Sequence, residues 1–158
     1  MKTEEDEKTV LACAKGVLQV ELILHERLLT TASSYFVAML NSGMKEAIDK
    51  KIEINDFSFE VVNATVVLLY ISAVPQHFSF DQMKSILQFS DKYDIQLIKD
   101  LVQNYFIEKL SPANVRDLVN FVTTAVHAPK LHSKCSAYLI KCIKESKVDL
   151  DTIDKDVV

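Results

Sequence analysis

Cys135 and Cys142 stand seven residues apart, a spacing that brings both thiols to one helical face, with His132 close by. Thiolate and imidazole are the ligands a structural zinc takes, but a closed site needs four, two more than the cysteine pair supplies. Together with Cys13 they make an odd number with no CxxC pair, which fits a reducing compartment and buried apolar thiols. No metal or cofactor is expected. His25 has no nucleophile beside it and reads as a helix-entry residue making a local hydrogen bond. Asp91 and Asp94, three apart, sit where one helical pattern ends and another begins, so capping explains them. GxSxG, a Gly-rich phosphate loop and HExxH do not occur, and an enzyme is not expected. The pattern that suggests chemistry is one of recognition, Met44-Lys45-Glu46. A flexible thioether fills an apolar pocket while a carboxylate two residues on pairs with a basic group.

That triplet closes the stretch His25 to Glu46, HERLLTTASSYFVAMLNSGMKE. Leu28, Leu29, Ala32, Tyr35, Phe36, Met39 and Leu40 recur at helical steps, while Thr30, Thr31, Ser33 and Ser34 weaken helix propensity. The spacing predicts two short helices meeting near Ser33-Ser34. Asn41-Ser42-Gly43 stops the second, with Gly43 suited to a left-handed position, and Met44 to Glu46 follow on an exit loop.

Upstream, Thr9–Ala14 and Val17–Leu22 read as a hairpin with its turn at Lys15-Gly16. Downstream, Ile52 and Ile54 alternate with Lys51 and Glu53 in a third strand. Ser58, or Asn55-Asp56, caps a helix from Phe59 to about Ile71, apolar nearly all round and expected to be buried. Ser79 and Gln82 have capping-box spacing for a helix from Phe80 to about Lys92. Asp94 caps the next, Ile95–Leu110. Ser111-Pro112 opens a helix pair, 113–126 and 130–146, split by Pro129. The fold class is α+β, dominantly helical: a small three-stranded sheet capped by a helical cluster, then an antiparallel helix pair.

A length of 158 residues suits one domain with a modest appendage. A net charge of −4 with scattered Lys and Arg gives no electrostatic case for nucleic acid. No apolar run approaches the roughly 20 residues a membrane helix needs, and MKTEEDEK lacks the apolar core of a signal peptide. A cytoplasmic or nuclear location follows as an expectation.

These residues, taken in order, resemble a BTB/POZ domain. His25-Glu26, Leu29, Ser33 and Phe36 are similar to the family's helix entry; Ile52-Glu53-Ile54-Asn55-Asp56 is similar to its following strand; Val66–Ile71, with Tyr70, resembles the end of its next helix. Ser90-Asp91-Lys92-Tyr93-Asp94-Ile95 echoes a further motif. Ser111-Pro112-Ala113-Asn114-Val115 looks like the start of the helical extension called the 3-box or BACK region. Two positions depart: Thr9 stands where the family often opens its first strand with an acid, and Ile71-Ser72-Ala73 replaces a Thr-Gly turn. The implied organisation is a flexible N-terminus over 1–8, a BTB/POZ-like domain over 9–110, 3-box/BACK-like helices over 111–147 and an acidic tail over 148–158.

The resemblance implies a homodimer and an adaptor that docks onto a cullin scaffold of a ubiquitin ligase, bringing to it an unidentified substrate protein. Cullin contact falls to Met44 and Glu46, extended by Tyr70 and Phe121. The dimer interface falls to Leu11, Leu28, Leu29, Ser33 and Tyr35, with core packing the competing role for these apolar residues. The alternative is a homo-oligomerising scaffold or transcriptional cofactor module that never meets a cullin.

Overall fold

The computed structural model describes residues 7–15 and 18–145. Strand β1, Lys8–Lys15, pairs antiparallel with β2, Leu18–His25, from Lys8 opposite His25 to Lys15 opposite Leu18. Strand β3, Lys51–Ser58, joins the other side of β1 in parallel, giving the order β2-β1-β3. Ile52 and Ile54 are buried while Glu53 between them is exposed, the alternation that a half-buried strand requires. The ladder also corrects two expectations. Lys8, expected in a flexible arm, opens β1, and β2 continues past Leu22 to His25 because Lys8 and Thr9 are there to pair with its end. Residues 1–6 and the Gly16-Val17 turn lie outside the described residues.

Helices α1, Glu26–Ala32, and α2, Ser34–Leu40, meet at Ser33 as the serine and threonine spacing predicts. Ser33 is extended at φ −141°, and its hydroxyl accepts the Phe36 N–H at 3.2 Å. Gly43 then takes φ +73°. The exit loop expected at Met44 is instead the start of a further helix, α3, Lys45–Asp49, with Met44 at its N-cap.

Helix α4, Phe59–Ile71, is capped by Ser58, whose oxygen accepts the Val61 N–H. Val62, Thr65, Val66, Leu68 and Leu69 are buried, but Val67, Tyr70 and Ile71 are exposed. The helix expected to be buried on all sides therefore buries one strip, following i, i+3, i+4 spacing at Val62, Thr65, Val66 and Leu69, and leaves an apolar side exposed. Its end is strained: Ser72 sits at φ 53°, ψ 30° with its N–H on the Leu68 carbonyl at 2.8 Å. A side chain there costs about 1 kcal/mol that glycine avoids. Ser72→Gly should therefore raise stability by up to roughly 0.6 kcal/mol in denaturant melts, once glycine's larger unfolded-state entropy of about 0.4–1 kcal/mol is set against the relieved strain; a lower midpoint would show that Ser72 is not strained.

Helix α5, Phe80–Lys92, carries the expected reciprocal cap: the Gln82 N–H donates to the Ser79 hydroxyl, and the Ser79 N–H to the Gln82 side-chain oxygen. Helix α6, Gln96–Glu108, follows. The chain divides within α6 into two compact units, Met1–Ile98 and Lys99–Val158.

In the second unit α7, Val115–Thr124, packs on α8, Pro129–Lys144. Val115, Leu118, Val119 and Val122 are buried on the first; Leu131, Cys135, Leu139 and Cys142 on the second. Pro129 begins α8, where a missing N–H is no loss. The buried Gln103 accepts the Leu131 N–H at 3.1 Å, satisfying a first-turn donor. The three cysteines are free and buried, in keeping with their reading as apolar thiols. Burial pushes the Cys13 thiol up to about 11 and that of Cys135 to about 12. The acidic segment 148–158 lies outside the described residues.

Candidate functional site

The stretches that carried the resemblance converge on one residue, Tyr93. The Ser33 hydroxyl donates to the Tyr93 carbonyl, and Ser33 and Ile95 form an antiparallel bridge. Phe36 stacks on the Tyr93 ring at 5.4 Å between centroids and 6° between planes, and Phe89 lies tilted against it at 4.7 Å. The Tyr93 hydroxyl donates to Asp56 Oδ1 at 3.2 Å, and Lys92 Nζ pairs with Asp56 Oδ2. The Asp94 carboxylate, expected to cap a helix, instead accepts a hydrogen bond from the Ser34 hydroxyl, and the residue adopts φ 51°. These residues share one role: they fasten α1 and α2 to the end of α5. They form a structural hub.

Burial raises the Asp56 carboxyl, but the Lys92 ammonium and the Tyr93 hydroxyl outweigh it, and the group is held below the usual carboxylate range. A depressed folded pKa adds stability above the unfolded value of about 3.9, lost as pH falls through the folded one. The pair is open to water, so the contribution is small. Asp56→Asn should thus melt below the parent at neutral pH, and the gap between them should close in strong acid. A gap that is constant with pH would mean that the charge does not matter.

The residues expected to serve recognition sit elsewhere. Met44 is 64% exposed at the N-cap of α3, held there by its N–H on the Ser42 hydroxyl at 3.2 Å. Ile48, 75% exposed, lies one turn on, with its N–H on the Met44 carbonyl at 3.2 Å. Ile48 is not among the residues expected from the sequence; its signal is the i, i+4 spacing from Met44, which has meaning only on a helix and not on the expected exit loop. Glu46 is half-buried and lines a groove of about 430 Å³ with Met39, Lys45, Asp49, Lys51 and Ile52.

Tyr70 is not part of that groove. It lines a second one, of about 380 Å³ and mostly apolar, with His25, Arg27, Leu28 and Thr31. His25 Nδ1 lies 3.3 Å from the Tyr70 hydroxyl, so its hydrogen bond reaches across to α4 instead of staying local. Tyr70 thus keeps company with Leu28, a dimer candidate. Phe121 is half-buried on α7 in the second unit. Among the dimer candidates, Leu11, Leu29 and Ser33 are 1%, 1% and 2% exposed, taken up by the chain's own core and hub. Leu28 is half-buried and Tyr35 is 41% exposed, which leaves these two with side chains accessible to a partner.

Among the described residues no group of histidine, cysteine and acidic side chains is arranged to hold a metal, and no helix is long and apolar enough to cross a membrane. Residues 4–110 match the family model of the BTB/POZ domain. The chain is similar to Kelch-like protein 24 of Homo sapiens, at 24% identity over 137 residues, covering 86% of this chain and 22% of the relative. A BTB/POZ domain-containing protein of Arabidopsis thaliana is 29% identical over 100 residues, 63% of this chain and 47% of its own length. BTB and MATH domain-containing protein 40 of Caenorhabditis elegans is 29% identical over 97 residues, 61% of this chain and 24% of its own length. The chain therefore spans between about a fifth and a half of the length of these relatives.

Proposed function

The chain belongs to the BTB/POZ family, and on that footing we propose that this protein-interaction module is a dimeric, non-enzymatic adaptor that docks onto a cullin scaffold of a ubiquitin ligase. The observation that carries the proposal is the exposure of Met44 at 64%. A methionine that served its own helix would be covered; this one stands in water beside Ile48, with the Glu46 carboxylate two residues away. The apolar pair offers an anchor and the acid a charge to complement a basic groove on the scaffold. The similarity to Kelch-like protein 24 supports the adaptor reading, since it covers more of the chain than residues 4–110 alone and takes in helices beyond them. A target protein would be held by a segment outside this sequence or by the BTB surface, in the cytosol or nucleus.

The test has two parts. Light scattering of the purified chain should return twice 17.9 kDa. A stable symmetric interface buries on the order of 1,600 Å², and the apolar groove at Leu28 and Tyr70 supports such a face. Titration against the N-terminal half of each cullin should then reveal one that binds. A dimer that binds none would leave the second reading, a self-associating scaffold or transcriptional cofactor module, which the same apolar groove also favours.

A further inference from the structure

Strand β2 lies at one edge of the sheet, and the hydrogen-bond phase of the hairpin fixes which of its groups are left over. The Glu26 N–H donates to the Glu7 carbonyl at 3.0 Å. Alternate pairs of an antiparallel ladder exchange hydrogen bonds, so here they are Leu24 with Thr9, Leu22 with Leu11 and Val20 with Cys13. The Val10 N–H agrees: it turns the other way and donates to the Lys50 carbonyl at 2.9 Å, on the β3 side. The N–H and C=O groups of Gln19, Glu21 and Ile23 therefore point out of the sheet. Among the described residues no strand pairs with that edge, and these three side chains are exposed.

The two edges of the sheet are not alike. Strand β3 skips from Ile54, opposite Cys13, to Ser58, opposite Ala14, and carries Lys51, Glu53 and Asp56. Irregular pairing and charge are what keep an edge from joining another chain. Strand β2 holds an unbroken register along its length, has no proline and bears one formal charge, Glu21. That charge is already drawn across the sheet, where Lys51 Nζ donates to Glu21 Oε1 at 2.5 Å. Glu21 and Glu53 both lie opposite Ala12, so one ammonium serves two carboxylates on that face and the negative charge is in excess. A row of open main-chain donors and acceptors takes an extended chain, and side chains select which one. Val20 and Leu22, half-buried on the core side, match apolar residues at alternate positions; Glu21 and Glu53 match cations between them. We infer that β2 receives an extended segment of a partner protein, with apolar and basic residues alternating, as a fourth strand of the sheet. Docking of a cullin at α3 is not required for it.

Amide hydrogen exchange on the full chain tests this, with the peptide TVKVTVKV, blocked at both ends, as the probe. Without peptide, the amides of Val20, Leu22 and Leu24 should be protected, and those of Glu21 and Ile23 should exchange as in an open chain. At a peptide concentration ten times its Kd, the Glu21 and Ile23 amides should slow roughly tenfold. The peptide TVEVTVEV at the same concentration should slow them several-fold less. Ile23→Pro removes an outward N–H and no bond to β1. It should fold with an unchanged thermal midpoint and bind the lysine peptide roughly tenfold or more weakly. Should that variant not fold, the exchange pattern of the parent decides alone. No slowing by the lysine peptide, or equal slowing by the two peptides, would overturn the proposal. Slow exchange at Glu21 and Ile23 without peptide would overturn it too. If that slowing grows with protein concentration, the edge belongs to a second copy; if it does not, the chain itself covers the edge.

Discussion

Phe36→Ala should lower folding stability by about 3–5 kcal/mol, the usual cost of emptying a fully buried aromatic site. Phe36 is 0% exposed and lies flat against Tyr93, which in turn touches Phe89 and holds Asp56. Truncation opens a cavity where α2 meets the end of α5, and the Ser33 to Tyr93 hydrogen bond loses its packing support. Against a total stability of about 5–15 kcal/mol, this leaves a marginal protein. Urea melts check it: the midpoint should fall with little change in slope. Tyr93→Phe is the control, since it keeps the ring and removes one hydrogen bond to a charged group, at about 1.5–3 kcal/mol. A loss below about 1 kcal/mol for Phe36→Ala would mean that the stack is not what holds the helices.

Met44→Ala with Glu46→Ala should weaken cullin binding roughly 30-fold or more, as truncation of an interface anchor commonly costs 2 kcal/mol or more. Adding Ile48→Ala should weaken it further, because the two apolar side chains share one face of α3. Met44 and Ile48 are exposed, so their removal should change stability by no more than about 0.5 kcal/mol. That separates this result from the first: a folded dimer, verified by light scattering and an unchanged melt, that no longer binds. Binding that survives all three changes would move the site to another surface, and Phe121 on α7 is the next residue to test.

Local signals in the sequence settled what local physics settles. The Ser79 and Gln82 cap, the break at Ser33, the bounds of α4 at Phe59 and Ile71, and the inward Ile52 and Ile54 each depend on residues within a few positions. Met44 and Glu46 were legible in the same local way, as an apolar and an acidic group beside a helix end. Three further features could not be read so. Helix α3 is five residues long, too short to show a period, and Ile48 went unnoticed with it. The partner of His25 is 45 residues away and that of Ser33 is 60, and no spacing rule links such positions. Periodicity also marks a face as apolar without saying what covers it. Leu11 and Leu29 are covered by the chain's own core, whereas Val67, Tyr70 and Ile71, in an equally apolar run, face water. Apart from α3 and the end of β2, local patterning is enough to place the helices and strands and the apolar face of each. Which of those apolar residues remain for a partner depends on which faces meet, and that is a matter of contacts distant in the chain.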